Sequence, residues 1–146
     1  MLKALEGKRL VTAESCTGGG IGAALTAIPG SSAVYKGGII SYTNWVKHNL
    51  LAVPQSYLDQ FGAVSAPVAE AMAMGARQTL MADVAVSVTG LAGPGGDDFG
   101  NPVGTVFVGY SDENITMSEK YIFSGDRETV RKQAIEATLK LVLRNN

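Results

Sequence analysis

Cysteine and histidine are nearly absent from this 146-residue sequence, which contains one of each, Cys16 and His48. A single cysteine cannot form an internal disulfide, so we expect the chain to work in a reducing cytoplasm. A single histidine excludes every zinc motif that needs two histidines and argues against a histidine-based catalytic triad. Any proton transfer that this protein catalyses is therefore expected to use another kind of residue.

Charged residues are also scarce, at 17% of the chain, and they sum to a net charge of −1. No basic run is present, which argues against a nucleic-acid surface, and no apolar stretch approaches the roughly 20 residues that cross a membrane. The first nine residues carry charges where a signal peptide needs an apolar core. With 46% apolar residues, the composition predicts one globular domain over residues 1–146.

Strand patterns alternate with helix patterns through most of the chain. The sequence predicts strands at 8–13, 39–42 and 83–89, a hairpin of strands 103–110 and 115–123, and helices at 21–28, 44–51, 54–61, 65–80 and from Arg127 onward. Residues 83–89 are almost continuously apolar, which is typical of a strand buried on both faces. This order predicts a three-layer α/β/α sandwich with a mixed, mostly parallel sheet that carries an antiparallel hairpin.

Two glycine-rich loops leave predicted strands, one after Ala13 and one after Thr89. Because ligands of open α/β sheets bind where loops leave the carboxyl ends of strands, we expect both loops to share one site. N–H groups in such a turn suit an anion, although a plain strand-to-helix turn has the same composition. In the second loop, Asp97 and Asp98 could hold Mg²⁺, but paired acids in glycine loops are more often solvated. Arg127 could grip a phosphate or form a surface ion pair.

Without histidine, a catalytic hydroxyl or thiol needs another base. The candidate nucleophiles are Ser15, Cys16, Thr17, Ser31 and Ser32, and the candidate bases are Glu14, Lys36 and Lys47. A lysine acts as a base only if burial or a neighbouring positive charge lowers its pKa from about 10.4. Tyr42 and Lys47 flank a predicted strand–helix junction where a phenol and an amine can meet, but each alone is more often structural. Ser31 and Ser32 follow Pro29-Gly30 and, on local features, more often cap a helix.

Six short motifs then occur in one order along the chain. They are Ala13-Glu14-Ser15-Cys16-Thr17-Gly18-Gly19, Gly30-Ser31-Ser32, Tyr42-Thr43-Asn44 with Lys47, Gly62-Ala63-Val64-Ser65, Thr89-Gly90-Leu91-Ala92-Gly93-Pro94 and Pro102-Val103-Gly104-Thr105-Val106. This series closely resembles the CinA C-terminal domain family, the nicotinamide-nucleotide amidases also called competence/damage-inducible proteins. The resemblance covers the chain from about Lys8 to the terminal helix. A stub replaces the family's helix before the first strand, and we expect a stand-alone form without the larger N-terminal domain of two-domain relatives.

The resemblance implies an amidase that converts nicotinamide mononucleotide to nicotinate mononucleotide and ammonia in pyridine-nucleotide salvage. It implies Ser32 as the nucleophile, with Lys47 and Tyr42 as its base and proton relay. The residues expected to bind the substrate are Ser15, Thr17, Gly18, Gly19, Thr89, Gly90, Gly93 and Arg127. No metal or cofactor is implied, and we expect a small nucleotide substrate, no nucleic-acid or membrane partner, and a homo-oligomer. The alternative is a non-catalytic nucleotide-binding or regulatory module linked to competence or DNA damage.

Overall fold

A five-stranded sheet forms the centre of the structure, a computed structural model that describes residues 1–146. The strands are β1 (Leu10–Glu14), β2 (Tyr35–Ile40), β3 (Val84–Gly90), β4 (Thr105–Ser111) and β5 (Thr116–Ile122). They lie in the order β2-β1-β3-β4-β5. β1 pairs in parallel with β2 and β3, whereas β4 is antiparallel to both β3 and β5. β4 therefore runs against the direction of the other four strands.

Five helices cover the two faces of this sheet. They are α1 (Gly20–Thr26), α2 (Asn44–Leu51), α3 (Gln55–Phe61), α4 (Ala66–Thr79) and α5 (Arg127–Arg144). α1 and α5 pack over one core, which contains Leu10 and Leu141, and α2 to α4 pack over the other, which contains Val11 and Met72. Neighbouring residues of β1 thus enter opposite cores, as the two-residue period of a strand requires. The predicted three layers are confirmed, with β3 in the middle of the sheet.

The second strand begins earlier than the sequence predicts. The prediction is 39–42, with Gly37 and Gly38 before it, but β2 runs from Tyr35 to Ile40 and includes both glycines. A Cβ on Gly38 would lie 2.2 Å from Thr12 Oγ1, so only glycine allows β2 to approach β1 here. The register between the two strands shifts just before Gly37. The glycines therefore serve a bulge and a close contact inside the strand, not a turn before it.

The remaining elements occur within a few residues of their predicted positions. The predicted hairpin is present as the antiparallel pair β4 and β5. α2 begins at Asn44, but its cap is Thr43, whose Oγ1 accepts a hydrogen bond from the Val46 N–H at 3.4 Å. None of the helices combines the length and the apolar character that a membrane span needs. The local signals thus place the elements correctly and leave their ends uncertain by one to three residues.

Candidate active site

The carboxyl ends of β1 and β3 border a cavity of about 410 Å³. These strands are parallel neighbours, with Glu14 opposite Val88, so Ser15 and Thr89 both reach the same edge of the sheet and line the cavity. The other walls come from Tyr42 and the start of α2, residues 63–64, residues 90–92 and 96–99, and the first residue of α5. The volume lies within the roughly 300–1,000 Å³ that is typical of small-molecule sites.

A buried lysine and a serine meet in this cavity. Lys47 Nζ lies 3.0 Å from Ser15 Oγ and 2.6 Å from the Ser41 carbonyl oxygen. Ser15 follows β1 and Ser41 follows β2, and the Ser41 N–H donates to the Glu14 carbonyl at 2.7 Å. Lys47, in the first turn of α2, is only 1% exposed. The neighbouring ends of two parallel strands therefore hold both oxygen atoms that face the amine.

Burial lowers the pKa of Lys47 to about 8, although the nearby Cys16 thiol opposes this shift. The cause is the loss of hydration, which disfavours the ammonium form. No carboxylate forms an ion pair with Lys47 to restore that form. A pKa near 8 makes the neutral amine accessible close to neutral pH. That amine can accept the proton of the hydroxyl group 3.0 Å away.

The buried carboxylate of Glu14 stabilises the turn that carries Ser15 by accepting hydrogen bonds. This carboxylate is 2% exposed and accepts hydrogen bonds from Thr17 Oγ1 at 2.7 Å and from the N–H groups of Ile21 and Gly22 at 2.8 and 3.0 Å. The donors at the start of α1 are thus occupied by the protein's own carboxylate. The sequence predicts an anion site on the N–H groups of this glycine turn, and the structure leaves those of Ile21 and Gly22 unavailable for it.

Arg131 holds the same turn from the side of α5. Its guanidinium donates to the carbonyl oxygens of Cys16 and Thr17 at 3.0 and 3.1 Å, and the Gly18 N–H donates to the Ser15 carbonyl at 3.1 Å. The N–H groups of Cys16 and Thr17 donate to no backbone carbonyl. Because C=O and N–H point in opposite directions in a trans peptide, the bonds to the Ser15 and Cys16 carbonyls fix the directions of these two free N–H groups.

Arg127, the first residue of α5, adds a cation to the cavity wall. It donates to the Gly93 carbonyl at 2.8 Å and to Tyr42 Oη at 3.2 Å, and no carboxylate pairs with it. Its charge is therefore available to an anion. Tyr42 is 59% exposed, and its hydroxyl accepts from Arg127, whereas the family resemblance implies that Tyr42 relays a proton with Lys47.

The structure brings together most of the predicted site residues. Those that line the cavity are Ser15, Tyr42, Lys47, Thr89, Gly90 and Arg127. Thr89 Oγ1 donates to the Ala63 carbonyl at 2.8 Å, and Gly93 contributes only the carbonyl that accepts from Arg127. Thr17 is buried beneath the turn, and Gly18 and Gly19 take positive φ there without lining the cavity.

Ser32 is the predicted residue that the structure keeps apart from the others. It is exposed and lies in the single 3-10 turn Ser31–Ala33, which precedes β2, whereas the cavity lies where the parallel strands end. The six residues of β2 separate the two places by roughly 20 Å. The Lys47 amine accordingly meets Ser15 and not Ser32. The predicted pairing of Ser32 with Lys47 does not occur in this geometry.

Two further residues belong to the site, although the sequence analysis does not predict them there. Phe99 lines the cavity from the long loop after β3, and the unusual length of that loop is the one clue to its role. Arg131 reaches the Ser15 turn only because α5 packs beside α1. Its position on a helix predicts only a partly solvated side chain.

The fold and the site together define a three-layer α/β protein with a buried serine–lysine pair at the carboxyl ends of parallel strands. The family described as CinA C-terminal domain matches residues 2–145. The chain therefore belongs to the CinA C-terminal domain family.

Three similar proteins illustrate its relationships. A CinA-like protein from Synechococcus sp. (strain CC9311) is 60% identical over 102 residues, which cover 70% of this chain and 24% of that protein. A nicotinamide-nucleotide amidohydrolase PncC from Pseudomonas putida is 47% identical over 131 residues, covering 90% of this chain and 82% of that protein. The crystal structure of a competence-damaged protein (CinA) superfamily protein from Escherichia coli matches with a TM-score of 0.95 and 37% identity, covering 99% of this chain and 84% of that one. The chain thus spans about a quarter of the CinA-like protein and most of the other two.

Proposed function

We propose that this chain hydrolyses the carboxamide of nicotinamide mononucleotide, giving nicotinate mononucleotide and ammonia. The observation that carries the proposal is the 3.0 Å contact between Lys47 Nζ and Ser15 Oγ inside a cavity of small-molecule size. A serine with a lysine base is suited to attack an amide in a protein with one histidine. The name of the Pseudomonas putida relative, a nicotinamide-nucleotide amidohydrolase, supplies the substrate.

We assign Ser15 as the nucleophile and Lys47 as its base, in place of the Ser32 that the sequence resemblance implies. The neutral amine takes the hydroxyl proton while Ser15 Oγ attacks the carboxamide carbon, and a tetrahedral oxyanion forms. The Ser41 carbonyl, 2.6 Å from Nζ, accepts one amine N–H and so leaves the lone pair for the serine proton. Geometry and the lowered pKa of Lys47 support the same assignment.

The N–H group of Cys16 is the proposed donor to the oxyanion, because Cys16 lines the cavity whereas Thr17 is fully buried and does not. This N–H directly follows the nucleophile and donates to no backbone carbonyl. Fixed backbone donors of this kind stabilise the charge that develops on the substrate oxygen without having to reorient during the reaction.

Collapse of the first intermediate breaks the carbon–nitrogen bond. The Lys47 ammonium returns its proton to the leaving nitrogen, so ammonia departs and the acyl group stays esterified to Ser15. Water then attacks the ester carbon and gives a proton to Lys47, and the second collapse returns that proton to Ser15 as the acid leaves. One lysine thus serves as base and acid in both halves of the reaction.

The phosphate of the substrate is assigned to Arg127. This cation faces the cavity without a carboxylate partner, and a guanidinium matches the geometry of phosphate oxygens. Binding energy from the phosphate, remote from the reacting bond, can orient the amide against Ser15. A cytoplasmic location and a homo-oligomeric state remain predictions from the sequence.

Ammonia release by the purified chain tests this function. We expect nicotinamide mononucleotide to be hydrolysed with a kcat/KM at least ~10-fold higher than that of free nicotinamide, because a charge-assisted hydrogen bond contributes about 1.5–3 kcal/mol. Arg127→Gln should raise KM for the nucleotide by about 10-fold and leave the rate on free nicotinamide unchanged, which makes the small substrate an internal control.

Two outcomes would contradict the proposal. Equal kcat/KM values for the two substrates would show that the phosphate is not bound. Tight binding of the nucleotide with no ammonia release would favour the non-catalytic regulatory module instead.

A further inference from the structure

One wall of the cavity is aromatic and acidic, and the proposed chemistry uses none of the side chains on it. The loop between β3 and β4 places Asp97, Asp98 and Phe99 on this wall. Phe99 is 48% exposed, so a large part of its ring faces open space. A ring exposed within a binding cavity is available to a ligand.

The loop that carries Phe99 is held in place by its own hydrogen bonds. The Asp97 carboxylate accepts from the N–H groups of Phe99 and Asn101, both at 3.1 Å, and from Asn101 Nδ2 at 2.7 Å. Asn101 Nδ2 also donates to the Val64 carbonyl at 3.2 Å. These bonds tie the loop to the segment before α4, so Phe99 has a fixed support.

Gly62 backs the Phe99 ring. A Cβ on Gly62 would lie 2.5 to 2.9 Å from three of the ring carbons, so the ring packs directly on the glycine backbone. Gly62 also has a φ of +78°, which glycine adopts without strain. The ring is therefore supported on the side of Gly62 and free toward the cavity.

The charges of the cavity have both signs. Lys47 and Arg127 contribute positive groups, and Asp98, an exposed carboxylate, takes part in no ion pair. Unlike Asp97, Asp98 uses no oxygen to accept a hydrogen bond from the loop. Its charge remains available to a cation, next to an aromatic ring that attracts cations as well.

We infer that Phe99 and Asp98 form a subsite for a cationic heteroaromatic ring, so that the protein distinguishes a quaternary pyridinium from a neutral ring of the same shape. The inference rests on the proposed function, whose substrate carries a pyridinium ring because its nitrogen is bonded to ribose. The ring face of Phe99 and the carboxylate of Asp98 together favour the positive ring. Arg127 then selects the phosphate, and the Phe99–Asp98 subsite selects the ring charge.

A pair of ligands that differ in ring charge tests the subsite. Nicotinamide mononucleotide and its reduced dihydropyridine form share the phosphate, the ribose and the carboxamide, but only the first has a cationic ring. Dissociation constants are measured by calorimetry in the Ser15→Ala variant, which does not consume the ligand. We expect the cationic form to bind roughly 3- to 30-fold more tightly than the neutral form.

Substitutions on the wall then assign this preference to its residues. Phe99→Leu and Asp98→Asn, each in the Ser15→Ala background, should weaken the cationic ligand by about 3- to 10-fold. Neither should change the affinity for the neutral ligand by more than about twofold. Phe61→Leu is the matched control, because Phe61 is 38% exposed, packs against Tyr57 and does not line the cavity.

The outcomes separate this inference from the function on which it rests. Equal affinities for the two ligands would overturn the subsite. So would Phe99→Leu and Asp98→Asn variants that lose affinity for the cationic and the neutral ligand equally. Either result would hold even if the wild-type chain releases ammonia from the nucleotide. No ammonia release by the wild type would overturn the proposed function. Failure of Ser15→Ala to bind either ligand would overturn the subsite, whereas the proposed function is decided by ammonia release from the wild type.

Discussion

Lys47 and Cys16 show how burial at the residue scale produces opposite chemical results in one cavity. Lost hydration disfavours the charged form of either group. It lowers the pKa of Lys47 to about 8, which makes a neutral amine available near physiological pH. It raises the pKa of Cys16 to about 11, so the thiol beside Ser15 stays protonated and is a poor nucleophile. The same burial that makes the lysine available as a base therefore keeps the cysteine in its unreactive thiol form.

Replacing Lys47 by methionine should abolish ammonia release and stabilise the fold. Methionine fills a similar space and has no charge to desolvate. In the wild type the folded pKa of about 8 lies below the ordinary 10.5, so the unfolded chain binds the proton more tightly and stability rises with pH between these values. At pH 7 we expect the variant to gain on the order of 1–3 kcal/mol in unfolding free energy.

Urea unfolding across the pH range measures this effect. The advantage of Lys47→Met over the wild type should shrink as the pH rises from about 8 toward 10.5, because the wild type then loses its buried charge. A variant that is less stable than the wild type at pH 7 would show that the hydrogen bonds of Lys47 outweigh the cost of its burial.

At the scale of elements, α5 contributes two arginines to the site from one face. Arg127 and Arg131 are four residues apart, so they project on the same side of the helix. Arg127 reaches the cavity, and Arg131 binds the carbonyls of Cys16 and Thr17. The Asp126 side chain caps this helix by accepting from the Thr129 N–H at 2.9 Å. This cap fixes the start of the helix and therefore the position of Arg127, its first residue.

Arg131→Gln should lower kcat while leaving KM nearly unchanged. Arg131 binds the carbonyls of Cys16 and Thr17 and so holds the turn that carries the proposed oxyanion donor, the Cys16 N–H; direct loss of such a donor costs about 10²–10³ in kcat. Since the donor is displaced and not removed, we expect a loss of about 10-fold or more. Steady-state kinetics from pH 6 to 10 should show a lower plateau, with the rise still centred near the pKa of Lys47, about 8.

Arg144→Gln is the control for that experiment. Arg144 ends the same helix and pairs with Glu119 on the surface, so its loss should leave kcat unchanged. An equal fall of kcat in both variants would assign the effect to the helix as a whole. A rise in KM alone in Arg131→Gln would show that Arg131 acts in substrate binding.

At the scale of the whole molecule, the sequence predicts the layers better than it predicts the site. The apolar run at 83–89 correctly identifies the central strand, and the two glycine-rich loops do lead to one cavity. Gly37 and Gly38 lead to a wrong prediction of where β2 begins. In the sequence, a glycine that allows two strands to approach closely cannot be told from a glycine in a turn. Local sequence patterns thus predict the type of each element, but they do not show whether a glycine serves a turn or a close contact between strands.

The choice of serine depends on topology, which local sequence does not contain. Ser15 follows a strand and Ser32 precedes one, so parallel strands place them at opposite ends of the sheet. That distinction appears only when the strand directions are known. Arg131 is a similar case, since its contact with the Ser15 turn requires the packing of α5 beside α1. Ser15 and Lys47 can each be identified as candidates in the sequence, but only the fold shows that their side chains are in contact.

Single-turnover kinetics of Ser15→Ala and Ser32→Ala on nicotinamide mononucleotide test the central claim most directly. Ser32 is an exposed serine outside the cavity and is therefore the matched control. With folding of both variants verified by circular dichroism, Ser15→Ala should lower the rate of ammonia release by at least ~10³-fold, since loss of a catalytic serine can cost about 10⁶. Ser32→Ala should stay within about twofold of the wild type. A folded Ser15→Ala of normal activity, or a Ser32→Ala without activity, would contradict the account.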